Sequence, residues 1–309
     1  MNIPVVGILD MAGCLDEFNL HSFQLVDLVI DRDGCILALL ADKIPRRIDG
    51  MYVPTVSDAR YQALRITVDW LCGERIAAEP VDFGQIEINA HFIQKLRDGY
   101  LLLGARARLH EDGRADQNAL ITDGQGRPLA RHCFGDGINQ CLVDKQNRII
   151  TSYCDEGVFG NYGWSEPVGS RGLIVWADDG SRLWENEKYR IYDCYAMNLD
   201  GQDRLWFYYY SDFQLVRTDY HQDLVFDPQM GGGGRFLLKG SGEAVLFVGG
   251  HDSFSQFVVK PLGSFPPGRG EGACFVFDGR LLKPVEVSFR GSKAILRDGQ
   301  RNFYMTDWL

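Results

Sequence analysis

The chain predicts an all-β fold: a six-bladed β-propeller of four-stranded blades, its ring closed by the N-terminal strand completing the last blade. Three observations carry this. One unit recurs through the whole chain, each unit is followed by a second hairpin signal, and the last unit runs out of residues before its fourth strand.

The recurring unit is an extended segment, a tight polar turn, then a small or charged residue followed by apolar ones. Its instances are "VDLVIDRDGCILALL", "FIQKLRDGYLLLG", "QCLVDKQNRIITSY", "YAMNLDGQDRLWFYY", "FLLKGSGEAVLFVG" and "VEVSFRGSKAILR". They recur at a period of roughly fifty residues, the length of a four-stranded blade. The second hairpins read as "RITVDWLCGERIAAEPV", "ALITDGQGRPLARHC", "LIVWADDGSRLWEN", "QLVRTDYHQDLVFD" and "CFVFDGRLLKPV". After "KAILRDGQ" only "RNFYMTDWL" remains, so the N-terminal "IPVVGIL" is expected to supply the missing strand and remove the open edges. The blades are then expected at 21–88, 89–137, 138–190, 191–231, 232–284 and 285–309 plus 1–10, within a single domain spanning 1–309.

Composition agrees. A chain of 309 residues holds two ordinary domains or one large all-β domain, and 45% apolar residues are enough for a large core. The 12% aromatic content and 35 glycines favour strands joined by many turns. The net charge of −10 argues against nucleic acid and anionic membrane, which both attract basic surfaces. No apolar run approaches a membrane span, and "MNIPVVGILDMAGCLDE" lacks the basic start of a secretory leader. None of the eight cysteines forms a CxxC and most sit in apolar runs, which points to reduced, buried thiols and a cytoplasmic location. A monomer is expected.

These units resemble six-bladed propellers of the broad group containing NHL-repeat, YWTD and gluconolactonase/regucalcin-type proteins. "DGINQCLVDKQNRIITSYCDEGVFGNYGW", followed by "GLIVWADDGSRLWE", resembles more closely the middle of uncharacterised bacterial propeller proteins. That resemblance implies a fold and brings no activity with it.

Within a blade, strands A–B and C–D join at one end of the sheet, while the B–C connection and the link to the next blade lie at the other. The A–B and C–D turns are short, as in "DRDG", "DKQN" and "DDGS". The B–C connections of blades 1, 3 and 5 read as long, through "ADKIPRRIDGMYVPTVSDAR", "CDEGVFGNYGWSEPVGSRG" and "GGHDSFSQFVVKPLGSFPPGRGEG". Long loops on a rigid scaffold are where binding resides, so this is the expected functional face.

Acids gather on that face. Asp42 and Asp155 follow the ends of second strands, and links between blades add His91, Asp136, Asn139, Tyr192 and Asp193 near the expected channel mouth. Asp155, Glu156 and Asn161 form the best local set of oxygen donors for a hard cation. The structural alternative is that the two acids accept turn amides while Val158, Phe159, Tyr162 and Trp164 pack over the blade. His251-Asp252 pairs a base with a carboxylate in sequence, but no nucleophile signal accompanies it. "MGGGGRF" lacks the Lys and Ser/Thr of a phosphate loop and reads as a link.

The expected function is a non-catalytic, protein-binding propeller gripping a basic protein partner, as an inhibitor or immunity-type protein does, with no cofactor. Its binding residues are Asp42, His91, Asp136, Asn139, Asp155, Glu156, Asn161, Trp164, Tyr192, Asp193, His251 and Asp252. The alternative, implied by the gluconolactonase resemblance, is a hydrolase using Ca²⁺ or Mg²⁺ at Asn139 and Asp193. The first blade departs from that pattern, offering only Gln24 and Asp27 where the resemblance implies a glutamate. A metabolite sensor lined by Trp164, Tyr192 and His251 is a third reading.

Overall fold

Strands Ile36–Ala41, Gly99–Leu103, Ile149–Tyr153 and Ala244–Val248 are buried along their whole length. An antiparallel strand covered on both faces reads as an unbroken apolar run, which explains why these second strands stand out in the sequence. The outermost strands alternate instead or turn polar, as in Arg75–Gln85 and Pro128–His132.

The computed structural model describes residues 1–45, 47–48, 51–53, 58–240, 242–248, 256–262 and 270–309. It contains six four-stranded blades, and the fold is a β-propeller. In sheet order A to D, blade 1 is Gln24–Ile30, Ile36–Ala41, Arg60–Val68 and Arg75–Gln85. Blade 2 is Phe92–Leu96, Gly99–Leu103, Ala119–Thr122 and Pro128–His132. Blade 3 is Ile138–Val143, Ile149–Tyr153, Leu173–Trp176 and Arg182–Glu185. Blade 4 is Asp193–Leu199, Leu205–Tyr210, Leu215–Thr218 and Asp223–Phe226.

The chain divides into two compact units, one of Met1–Glu17, Ile66–Ala78 and Tyr195–Leu309, the other of Phe18–Arg65 and Glu79–Cys194. Within the second unit, one apolar cluster joins Leu39, Tyr61 and Phe83 of blade 1 to Ile93 and Leu102 of blade 2. Another joins Leu101 and Phe134 to Ile149 and Trp176 of blade 3. Neighbouring blades of this unit thus bury apolar faces against one another.

In the first unit the N-terminus completes the last blade. Gly7–Leu9 pairs antiparallel with Phe303–Asp307, extending Pro284–Arg290 and Lys293–Asp298 to four strands. The expected strand is divided in two. Asn2–Pro4 pairs parallel with Glu271–Phe277 of blade 5, burying Ile3 against Phe275, before the chain crosses to blade 6. Val5 N donates to Val276 O at 2.9 Å and Val6 N to Met305 O at 2.8 Å, so the crossing takes place between adjacent residues.

Blade 5 departs from the sequence reading. Its strands are Phe236–Lys239, Ala244–Val248, Phe257–Pro261 and Glu271–Phe277. "FVVKP", expected inside a long B–C loop, is strand C, and "CFVF" belongs to strand D. The Asp278-Gly279 turn does make a hairpin, both residues having positive φ (48° and 73°). Its second arm, Arg280–Leu281, is only two residues long and hangs on strand D.

The short turns carry a shared clasp. Asp123, Asp144 and Asp200 each accept the backbone N–H and the Nε of an arginine four residues on, Arg127, Arg148 and Arg204. An Asx-type turn is thereby closed by a charge-assisted bond. All eight cysteines are free thiols; Cys14, Cys35, Cys141 and Cys194 are buried and Cys72 is exposed. Among the described residues no helix is long and apolar enough to cross a membrane.

Candidate functional site

The site begins with an arginine. "GARAR" leaves strand B of blade 2 as an irregular loop, and Arg106 turns inward with only 6% of its side chain exposed. Its Nε and Nη2 donate to the two carboxylate oxygens of Asp136, each at 2.8 Å, and Nη1 donates to Glu156. Glu156 also accepts Asn161 Nδ2 at 2.9 Å, while Asp136 accepts Ala107 N at 2.9 Å. The guanidinium lies 4.5 Å from the Tyr162 ring centroid. Burial works against the Arg106 charge, but the two carboxylates outweigh it and raise its pKa.

The backbone of blade 3 is shaped to reach this arginine. After strand B, Asp155–Phe159 forms one helical turn. Cys154 N donates to Gly137 O at 2.9 Å, and a Cβ on Gly157 would lie 2.5 Å from Asp136 O, so only glycine admits this approach. Beyond the turn, Leu109 N donates to Tyr162 O at 3.0 Å and Trp164 Nε1 to Ala107 O at 2.8 Å. The blade 2 loop 104–118 and the blade 3 loop 154–172 are therefore stitched to each other through Arg106, Leu109 and Trp164.

Asp136, Glu156, Asn161 and Trp164 thus come together, as internal braces. Asp155 is exposed and accepts the next amide, Glu156 N donating to its Oδ1 at 2.7 Å. Asp42 lies apart, accepting Arg60 N at 2.8 Å. His91 is buried, its Nδ1 accepting Ala105 N at 2.9 Å, so the proton sits on Nε2, a buried atom with no hydrogen-bond partner among the described residues. Burial, reinforced by Arg47 and Arg106, lowers its pKa to about 3 and keeps it neutral. Tyr52 packs on it at 3.8 Å. His251 and Asp252 lie outside the described residues.

Asn139 and Asp193 are the other pair the sequence singled out. Asn139 Nδ2 donates to Cys194 O at 2.8 Å. Asp193 Oδ1 is buried without a hydrogen-bond partner among the described residues, and burial, then repulsion from Asp155, push its pKa up to about 7. The same burial holds the Cys154 thiol up at about 11. Asp27 accepts Ile93 N at 3.1 Å. No group of three His, Cys, Asp or Glu among the described residues gathers as a metal site.

A groove of about 440 Å³ opens beside the blade 3 turn. Val158, Phe159, Tyr189 and Tyr192 supply its apolar and aromatic lining, and Arg171, Lys188, Arg190 and Glu187 its charge. Phe159 is 63% exposed, its ring 5.3 Å from that of Tyr192. Neither Arg106 nor this groove was singled out from sequence. The signal for the first was the basic "ARAR" in an acidic chain, and for the second the run "NEKYRIY" in the link after blade 3.

No family model matches the chain, and no curated protein matches it in sequence. Among solved structures it is similar to Kluyvelomyces marxianus Hsv2, with 9% identity over 93% of this chain and 77% of that one, at a TM-score of 0.51. The PQQ-bound aldose sugar dehydrogenase of Streptomyces coelicolor matches 91% of this chain with 93% of its own, at 9% identity and a TM-score of 0.46. Virginiamycin B lyase of Staphylococcus aureus matches 93% with 96% of its own, at 11% identity and 0.44. The likeness to Hsv2 is one of fold alone.

Proposed function

We propose that the chain is a non-catalytic binding propeller that grips a partner protein with the B–C side of blades 2 and 3. The observation that supports this most is the Arg106 clamp. It spends buried charge on fixing two long loops against each other, and an interface fixed before contact loses less entropy on binding. An inhibitor or immunity-type role is one concrete form of this reading. At contact range, Asp136 and Glu156 are occupied by Arg106, so the partner's charge is not set by them. The lactonase-like alternative draws less support, because no group of three His, Cys, Asp or Glu gathers as a metal site among the described residues.

Cross-linking mass spectrometry with the full chain as bait in a cell extract tests the proposal. The expected result is a partner cross-linked to residues 104–118 or 154–172, lost with Phe159→Asp and retained with Leu224→Asp on blade 4. A partner that survives Phe159→Asp, or cross-links only to other blades, contradicts it.

A further inference from the structure

Among the described residues, Arg108 is the one arginine of blade 2 and its loop without an acid. Arg97 pairs with Asp178, Arg106 with Asp136, Arg114 with Asp112, Arg127 with Asp123 and Arg131 with Glu87. The Arg108 guanidinium faces the Tyr162 ring instead, its Cζ 5.8 Å from the centroid. It stands at the wall of a cavity of about 180 Å³, together with His110, Asp116, Ile88 and Gly104. In a chain of net charge −10, an arginine left without an internal acid at a cavity wall suits a carboxylate from outside. We propose that this cavity binds a small carboxylic acid that also carries a hydroxyl group. Such a site goes beyond partner binding and does not depend on it.

The loop itself sets out the two contacts. Leu109 bridges Ala115 in an antiparallel pair, so Arg108, His110 and Asp116 share the opposite face of this short ladder. Asp116 Oδ2 accepts Arg108 N at 2.9 Å, and its Oδ1 bonds His110 Nε2 at 2.8 Å. A carboxylate only accepts, so the neutral ring carries its proton on Nε2 and leaves Nδ1 as an acceptor. Among the described residues no donor meets Nδ1. A ligand hydroxyl is the group that suits it. Two residues back on the same face, about 7 Å away, Arg108 supplies the donors for a carboxylate.

The two acids on the lining leave that role open. Both oxygens of Asp116 are taken by the loop, and Glu87, 83% exposed, turns to Arg131 at 3.9 Å. Contact between Arg108 and Tyr162 uses the guanidinium face and keeps its N–H edge for a ligand. The volume falls below the roughly 300–1,000 Å³ of drug-sized sites, which selects a small molecule.

Ligand-observed NMR titration of the full chain with matched small molecules tests this. L-malate and glycolate should bind more tightly than succinate and acetate, which lack the hydroxyl, and than glycerol, which lacks the carboxylate. Arg108→Gln should weaken L-malate at least about tenfold, as for a lost bidentate charge-assisted contact, with Arg108→Lys falling between. His110→Ala should bring L-malate down to the level of succinate, a selective loss that a merely structural role would not produce. Both side chains are exposed, and an unchanged thermal unfolding midpoint shows that the variants fold. Malate binding indifferent to Arg108→Gln overturns the proposal, as does a malate advantage over succinate that survives His110→Ala. Succinate or inorganic phosphate binding as tightly as malate, or no binding at millimolar concentration, overturns it too.

Discussion

Arg106 and Asp136 form a bidentate pair, both bonds 2.8 Å long, with 6% and 1% of their side chains exposed. Glu156 closes it from the other side. One buried arginine thus turns two carboxylates that look like ligands in the sequence into the fastener of two loops.

Arg106→Met should cost about 3–5 kcal/mol, because it leaves Asp136 and Glu156 without their counter-charge in a desolvated place. Urea unfolding checks the size, and Arg106→Lys should recover only part of it, since an ammonium cannot make the bidentate contact.

Gly157→Ala should destabilise by about 1–3 kcal/mol, since a side chain there must push two backbones apart. The Cβ would meet Asp136 O at 2.5 Å and Gly137 O at 2.9 Å. The measurement is again the unfolding midpoint.

Asp193 gives a pH dependence. Burial and Asp155 raise its folded pKa from 3.8 to about 7. As pH rises through this window the unfolded chain releases the proton first and the folded chain holds it, so this group's contribution to stability declines from pH 3.8 to about 7. Asp193→Asn should lack that decline, its stability relative to wild type growing across the window and then levelling off. Unfolding measured at several pH values shows it as a difference between the two proteins. Carboxylates with lowered pKa, such as Asp123 and Asp298, work in the opposite sense and cancel in that difference.

Removing residues 2–9 takes the fourth strand from blade 6 and the added parallel strand from blade 5. The exposed edges should aggregate and the unfolding of the first unit should lose cooperativity, seen by light scattering and calorimetry.

The blades were legible because their B strands are buried on both faces and their turns repeat an Asp-led pattern. Blade 5 misled where a real Asp278-Gly279 hairpin carried an arm too short to be a blade strand, so "FVVKP" lost its place to "CFVF". The acids of blade 3 were legible as a feature, but their role was not. Their partner, Arg106, is distant in sequence, and only the packing of one blade on the next brings it to them. His91 shows the same limit from the other side: the sequence places it at the start of blade 2, while its tautomer follows from the Ala105 amide.

Amide hydrogen exchange of residues 154–164 tests most directly whether this surface is held ready for a partner. The clamp predicts protection at Val158, Gly160 and Trp164 in the wild-type protein, lost in Arg106→Met while Ile149–Tyr153 stays protected. Exchange at open-loop rates in the wild type, or protection unchanged by the substitution, would contradict it.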